Sequence, residues 1–250
     1  MISRQILAVC ASGLLLVSGA AASDKAAHPH WGYDGDGGPD HWGSLQTEYE
    51  KCASGQEQSP IDLSGVAKAY LRPIDFSYAS APMNIVDNGH TIQVDLAGSS
   101  ADIRGRAYDL LQFHFHAPSE HKVDGASYPM ELHLVHRDTS GSLAVVGLLI
   151  KEGKKNPVIA KIWKHLPSVG ERAEPEGVRL SPAKLLPADK SYFQYAGSLT
   201  TPPCSEGVNW NVLRTPIQLS AEQINAFRAR YAHNARPVQP LHGRSLRQTR

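Results

Sequence analysis

Gln112-Phe113-His114-Phe115-His116 alternates polar and aromatic side chains over five residues. In an extended strand, successive side chains point to opposite faces. Gln112, His114 and His116 therefore share one face, and Phe113 and Phe115 share the other. The phenylalanine face belongs in a core. The histidine face carries two imidazoles about 7 Å apart along the strand, from the rise per residue. Two neutral imidazoles at that spacing can converge on one tetrahedral zinc ion.

A third ligand has to come from elsewhere. The next strand candidate is Met130-Glu131-Leu132-His133-Leu134-Val135-His136, after an interval long enough to bring it alongside. Glu131 and His133 share a face, and His136 has the opposite parity. Parity alone leaves His133 and His136 both open. Glu131 favours His133, because a carboxylate beside a ligand accepts its second ring N–H and fixes the tautomer. Three histidines leave the fourth zinc position to water, as in a catalytic site. Twelve histidines in the chain make chance His-x-His pairs common, so the weight rests on the combination with the second strand.

Outward from these strands, short β-type runs recur at Thr91–Leu96, Ala107–His116, Ala144–Ile150 and Val208–Leu213, separated by turn residues. Asn156-Pro157 starts a helix with Val158, Ile159, Ile162, Trp163 and Leu166 on one face. Ser220 and Gln223 form a capping-box pattern ahead of Ile224, Phe227 and Tyr231. The 250 residues suit one large domain, mostly β (α+β), with peripheral short helices. A formal charge of +1 gives no pull toward nucleic acid or anionic membrane.

Residues 1–22 read as a signal peptide: Arg4, an apolar run from Ile6 to Val17, and Ala20-Ala21-Ala22 as a cleavage site. The run is shorter than the roughly 20 residues of a spanning helix, so no stable membrane insertion is expected after cleavage. Residues 23–250 form the mature domain, periplasmic or secreted. It opens with a Gly-, Asp- and His-rich arm over residues 23–40. Removal of Cys10 leaves Cys52 and Cys204, an even count for which a disulfide is the default after export. Closing so long a loop contributes at most about 5 kcal/mol in the chain-entropy model.

Further segments complete a pattern: HWGY (30–33), GPDHW (38–42), QSPI (58–61), NGH (88–90), SEH (119–121), LAVVG (143–147), GSLTTPPCSEGV (197–208) and RPVQPL (236–241). With QFHFH and ELHLVH, they make the chain resemble an α-class carbonic anhydrase of the bacterial exported type. The resemblance spans nearly all the mature chain. It implies a large, mainly antiparallel twisted sheet with a conical zinc cleft, and cis peptides at Ser59–Pro60 and Pro202–Pro203. It also implies one Zn2+ on His114, His116 and His133. Gln112 and Glu131 would hold His114 and His133, and the Asn234 carbonyl would hold His116. His121 and His136 become structural.

The implied reaction is reversible hydration of carbon dioxide to bicarbonate and a proton, a lyase activity. Zinc would lower the pKa of its bound water to about 7, a value established for this family, so that a zinc-bound hydroxide would be available to attack carbon dioxide at neutral pH. Thr200 would accept the hydroxide's hydrogen and donate to an ionised Glu120, fixing direction. Val135, Val145, Leu199, Thr201, Val208 and Trp210 would line the substrate pocket. His90 would shuttle the proton, since an imidazole gives and takes protons near neutrality. Tyr33 would order water in the cleft. A Cys52–Cys204 bridge would stiffen the loop carrying Thr200. Sulfonamides and anions are the expected inhibitors, and a homodimer is common among bacterial relatives.

Ala117 stands where many animal members carry Trp. The basic tail Arg244–Arg250 has no counterpart in the motifs and is expected to be disordered. Secondary esterase activity would need a roomier pocket than Val145 and Val208 leave. A zinc-binding carrier would need closed coordination or mobile His-rich tracts. His28, His30 and His41 are too loosely spaced for that. A non-catalytic binding module usually lacks a zinc histidine, and here all three are present.

Overall fold

The computed structural model describes residues 30–250; the segment expected to direct export lies outside them. Among the described residues, twelve strands join one sheet. Its main path starts at Ala67–Ala69 and runs through Arg247–Thr249, Tyr192–Ser198, Glu206–Leu219, Leu143–Glu152 and Met130–Arg137. It continues through Arg106–His116, Ile92–Asp95 and Asn84–Asp87 to Arg172–Ala173. Most neighbours are antiparallel. Leu143–Glu152, however, runs parallel to Glu206–Leu219, and Ala67–Ala69 parallel to Arg247–Thr249. The sheet is thus mixed. After Glu152 the chain leaves through the helix Pro157–Trp163 and returns as the hairpin of Tyr192–Ser198 and Glu206–Leu219. A connection that long permits the second hairpin strand to enter parallel.

The central strands explain the register. Every residue of Met130–His136 is buried, as expected for a strand covered on both faces. One face holds Phe113, Phe115, Leu132, Leu134, Val146 and Leu148 against Ile159 and Ile162 of one helix and Ile224 and Phe227 of another. The other face holds Val135, Val145, Val208, Trp210 and Val212. A one-residue slip would exchange these faces, so burial on both sides locks the pairing. That pairing sets His114 opposite His133, and His116 opposite Glu131.

Both helix starts follow their local chemistry. The Asn156 side chain accepts from the Val158 and Ile159 N–H groups, with Pro157 in the first turn. Ser220 and Gln223 make both halves of a capping box before Ala221–Arg228. Cys52 and Cys204 form a disulfide across 152 residues and pack against Trp42. The peptides Ser59–Pro60, Ala117–Pro118 and Pro202–Pro203 are cis.

The C-terminus departs from expectation. Arg247–Thr249 is a strand, pairing with Ala67–Ala69 and with Phe193–Gln194. Arg244 anchors it by donating to the carbonyls of Leu241, Ala196, Gln58 and Pro240, with its guanidinium over the Tyr195 ring. The tail is ordered because the outer hairpin strand offers a free edge and the arginine fork finds four acceptors.

Gly197 closes the hairpin where it meets Ser59 and Trp210. A Cβ there would lie 2.2 Å from Ser59 Oγ, 2.7 Å from Tyr195 and 2.8 Å from Trp210. Gly197→Ala is therefore expected to lose about 1–3 kcal/mol of stability by overpacking, read as a lower urea midpoint at unchanged slope. An unchanged midpoint would show that this corner has slack.

Candidate metal centre

Three imidazoles converge on the face of the sheet opposite the larger core. His114 and His116 come from one strand and His133 from its neighbour. Their ring centroids lie 5.0, 5.3 and 4.6 Å apart. Each ring is held from behind. His114 Nδ1 donates to Gln112 Oε1 at 2.9 Å, His116 Nδ1 to the Asn234 carbonyl at 2.7 Å, and His133 Nε2 to Glu131 Oε1 at 2.9 Å. The remaining nitrogens, Nε2 of His114 and His116 and Nδ1 of His133, are thereby left as lone pairs. Each histidine offers a nitrogen within 4.8 Å of those of the other two. His116 Nε2 is buried without a hydrogen-bond partner. An orphaned lone pair in a dry site, in a set of three neutral nitrogens, fits a zinc ion.

Burial lowers the pKa of all three rings, that of His116 to about 4. They are neutral at pH 7 and able to ligate. Glu131 is fully buried. Burial alone would raise its carboxyl, but His121 and His133 outweigh that and hold it well below the ordinary range. Its Oε1 also accepts from His121 Nδ1 at 2.7 Å and its Oε2 from the His121 N–H at 2.9 Å. His121 Nε2 meets the Tyr195 hydroxyl at 2.7 Å, which donates to Ser59 Oγ at 2.8 Å. His136 lies beyond a bulge between Val135 and His136 and meets the Tyr78 hydroxyl instead.

Glu120 sits beside the imidazoles, with Oε2 3.6 Å from His116 Nε2 and 3.8 Å from His133 Nδ1. Burial pushes its carboxyl up to about 7, against the pull of His133, the Arg236 N–H and the Thr200 hydroxyl. With the neighbouring imidazoles neutral, desolvation outweighs these donors. Glu120 Oε1 accepts from the Arg236 N–H at 2.9 Å, whereas Oε2 is buried and unpartnered. Thr200 is buried and Thr201 half-buried. The Thr201 carbonyl accepts from the Cys204 N–H at 2.8 Å, so the disulfide sits at the end of this turn. Val135, Val145, Val208 and Trp210 are buried in one cluster, with Leu199 packed against it. Trp210 lies 4.8 Å from the His133 ring and donates to the Ser198 carbonyl.

His90 is half-buried and lines a cavity with Trp31, Tyr33 and Asn234. Its ring stacks on Trp31 at 3.7 Å and meets His30 edge-on at 4.9 Å. Burial, then the His30 neighbour, lowers its pKa. Tyr33 packs near Trp42, and burial, then the Glu120 charge, raises its phenol well above the usual range.

Arg236 is a residue the sequence reading gave no role. Its guanidinium is buried and donates to Gln58 Oε1 and to the Ser59 and Cys52 carbonyls, while its own N–H holds Glu120. An arginine reads in sequence as surface charge, and its burial here follows from acceptors far away in the chain.

The comparisons agree with this geometry. A family model described as eukaryotic-type carbonic anhydrase matches residues 37–250. A carbonic anhydrase of Klebsiella pneumoniae is 45% identical over 219 residues, covering 86% of this chain and 89% of its own. The α-carbonic anhydrase of Thermovibrio ammonificans, solved with the inhibitor sulfanilamide, superposes with a TM-score of 0.85. It is 46% identical and covers 87% of this chain and 98% of its own. The α-carbonic anhydrase of Photobacterium profundum gives a TM-score of 0.83 at 40% identity, over 87% of this chain and all of its own. The chain belongs to the eukaryotic-type (α) carbonic anhydrase family of zinc enzymes, lyases that reversibly hydrate carbon dioxide to bicarbonate.

Proposed function

We propose that this chain is exported and carries its single zinc ion on His114, His116 and His133, with carbon dioxide hydrated in the cleft above them. The observation that carries this reading is the set of three outward-held rings whose free nitrogens face one point. Zinc held there supplies a Lewis acid that brings the pKa of a water ligand to about 7. Neutral histidines leave the site its positive charge, which thiolates would dissipate.

The chain's own groups do the rest. Glu120, next to a cation on these imidazoles, is held ionised and accepts from Thr200. The Thr200 hydroxyl then has only its oxygen to present to the cleft, and it orients a bound water through that lone pair. Val135, Val145, Leu199, Val208 and Trp210 keep the substrate side apolar, as an uncharged gas requires. Thr201 closes the same wall, and Tyr33 orders cleft water. His90 takes a proton from the cleft and hands it to buffer; its lowered pKa keeps it neutral and receptive at pH 7. The Cys52–Cys204 bridge supports an oxidising destination outside the cytoplasm and pins the turn bearing Thr200. Sulfanilamide binds the Thermovibrio relative, and the same ligand class fits this cleft.

Thr200→Ala is expected to cut kcat by about 100-fold through lost orientation while bound zinc stays at one per chain. Turnover at the wild-type rate would remove Thr200 from the mechanism. His90→Ala tests the shuttle separately. Its kcat in dilute buffer should fall tenfold or more, with the roughly 10²–10⁴ contribution of a general acid–base group as the upper bound, and recover with added imidazole. Absence of rescue would argue for a turn histidine without a proton role.

A further inference from the structure

His90 lies on a turn whose internal bonds are local. The Asn88 side chain accepts from the His90 N–H at 3.0 Å and the Thr91 N–H at 2.9 Å. Gly89 takes a left-handed φ of +83° that an L side chain rarely adopts. These bonds shape the turn without deciding where it sits against the cleft. The fixing comes from the residue before it. Asp87 is fully buried. Its Oδ2 accepts from the Arg230 guanidinium at 2.8 Å, and its Oδ1 accepts from the Tyr231 hydroxyl and from the Gly89 N–H. Arg230 also donates to the Pro167 carbonyl at 2.7 Å. The Asp87 backbone is pinned on both sides, its N–H to Glu171 at 3.0 Å and its carbonyl from Gly170 at 2.8 Å.

The segment that supplies Arg230 and Tyr231 continues to Asn234. The Asn234 amide donates to the His90 carbonyl at 3.0 Å and to the Phe115 carbonyl at 2.9 Å. Its own carbonyl holds His116. One stretch of chain, residues 230–234, therefore grips the His90 turn and a proposed metal ligand together. Asp87 is buried but the Arg230 side chain is 32% exposed, and a pair open to water on one side is a weak source of stability. What such a pair does supply is a fixed geometry. Burial, then the hydrogen bond to Asp87, raises the Tyr231 phenol, so it remains the donor in that contact at any working pH.

We propose that Asp87, Arg230 and Tyr231 form a clamp that positions the His90 turn over the metal cleft, which makes them positioning residues for proton export. The inference rests on the shuttle reading of His90. The step itself is a proton moved from cleft water to one ring nitrogen of His90, then from the imidazolium to buffer, which returns the ring to neutral. The clamp sets the water-bridged distance over which the first transfer runs.

The test uses full-length zinc-loaded enzyme in stopped-flow carbon dioxide hydration across a series of buffer concentrations. The variants are Tyr231→Phe, Arg230→Met and His90→Ala. Tyr231→Phe and Arg230→Met should lower kcat in dilute buffer roughly three- to tenfold, a fraction of the ~10²-fold or more that a full acid–base group contributes. Their kcat/KM for carbon dioxide and their zinc content should stay at wild type, imidazole should restore kcat, and Arg230→Lys should recover part of the loss. If Arg230→Met does not fold, Tyr231→Phe, which removes one oxygen, decides. Full kcat in dilute buffer for Tyr231→Phe alongside a slow His90→Ala would overturn the clamp and leave the shuttle standing. A fast His90→Ala would overturn both. Parallel loss of kcat and kcat/KM without imidazole rescue would reduce the cluster to a structural role and overturn the clamp.

Discussion

The structure depends on the pairing of Arg106–His116 with Met130–Arg137. That register sets His133 opposite His114 and Glu131 opposite His116. It is enforced from behind, since Phe113, Phe115, Leu132 and Leu134 are buried in the larger core. Sliding either strand by one residue would drive histidines into that core and phenylalanines into the cleft. The cost of burying unpaired imidazoles and of exposing aromatic surface falls on the same slip. Packing on one face thus specifies the chemistry on the other.

Around this pairing, polar groups are buried in connected sets, each with partners. Glu131 serves two histidines at once and links through His121 and Tyr195 to Ser59. Arg236 ties Glu120 to Gln58 and to the backbone beside the disulfide. These sets join the early QSPI segment, the strand pair and the late RPVQPL segment. They explain why motifs far apart in the chain occur together. The atoms left without partners are informative by contrast. Two of the six buried side-chain atoms unpartnered among the described residues are His116 Nε2 and Glu120 Oε2, which face each other across the centre.

Much of this was legible in sequence because it is periodic or local. Period-two alternation exposed the histidine face, and the Asn156 and Ser220 caps marked helix starts that the structure repeats. The resemblance to α-carbonic anhydrases supplied what periodicity could not, including the partners of His114 and His116. Other features were closed to such reading because they are non-local. The parallel pairing of Leu143–Glu152 with Glu206–Leu219 depends on how a long connection returns. The order of the C-terminal tail depends on a free strand edge and on carbonyls that Arg244 finds elsewhere. The Asp87–Arg230–Tyr231 cluster spans more than 140 residues, and no spacing rule announces it.

The central claim is that zinc on His114, His116 and His133 makes the cleft a hydration site. The most direct measurement strips the wild-type protein with a chelator, reloads it with zinc, and follows carbon dioxide hydration alongside metal content, with His116→Ala in parallel. The account predicts one zinc per chain, hydration lost and regained with it, and a His116→Ala protein that folds but retains little metal. Full hydration by the stripped protein, or stoichiometric zinc in His116→Ala, would contradict it.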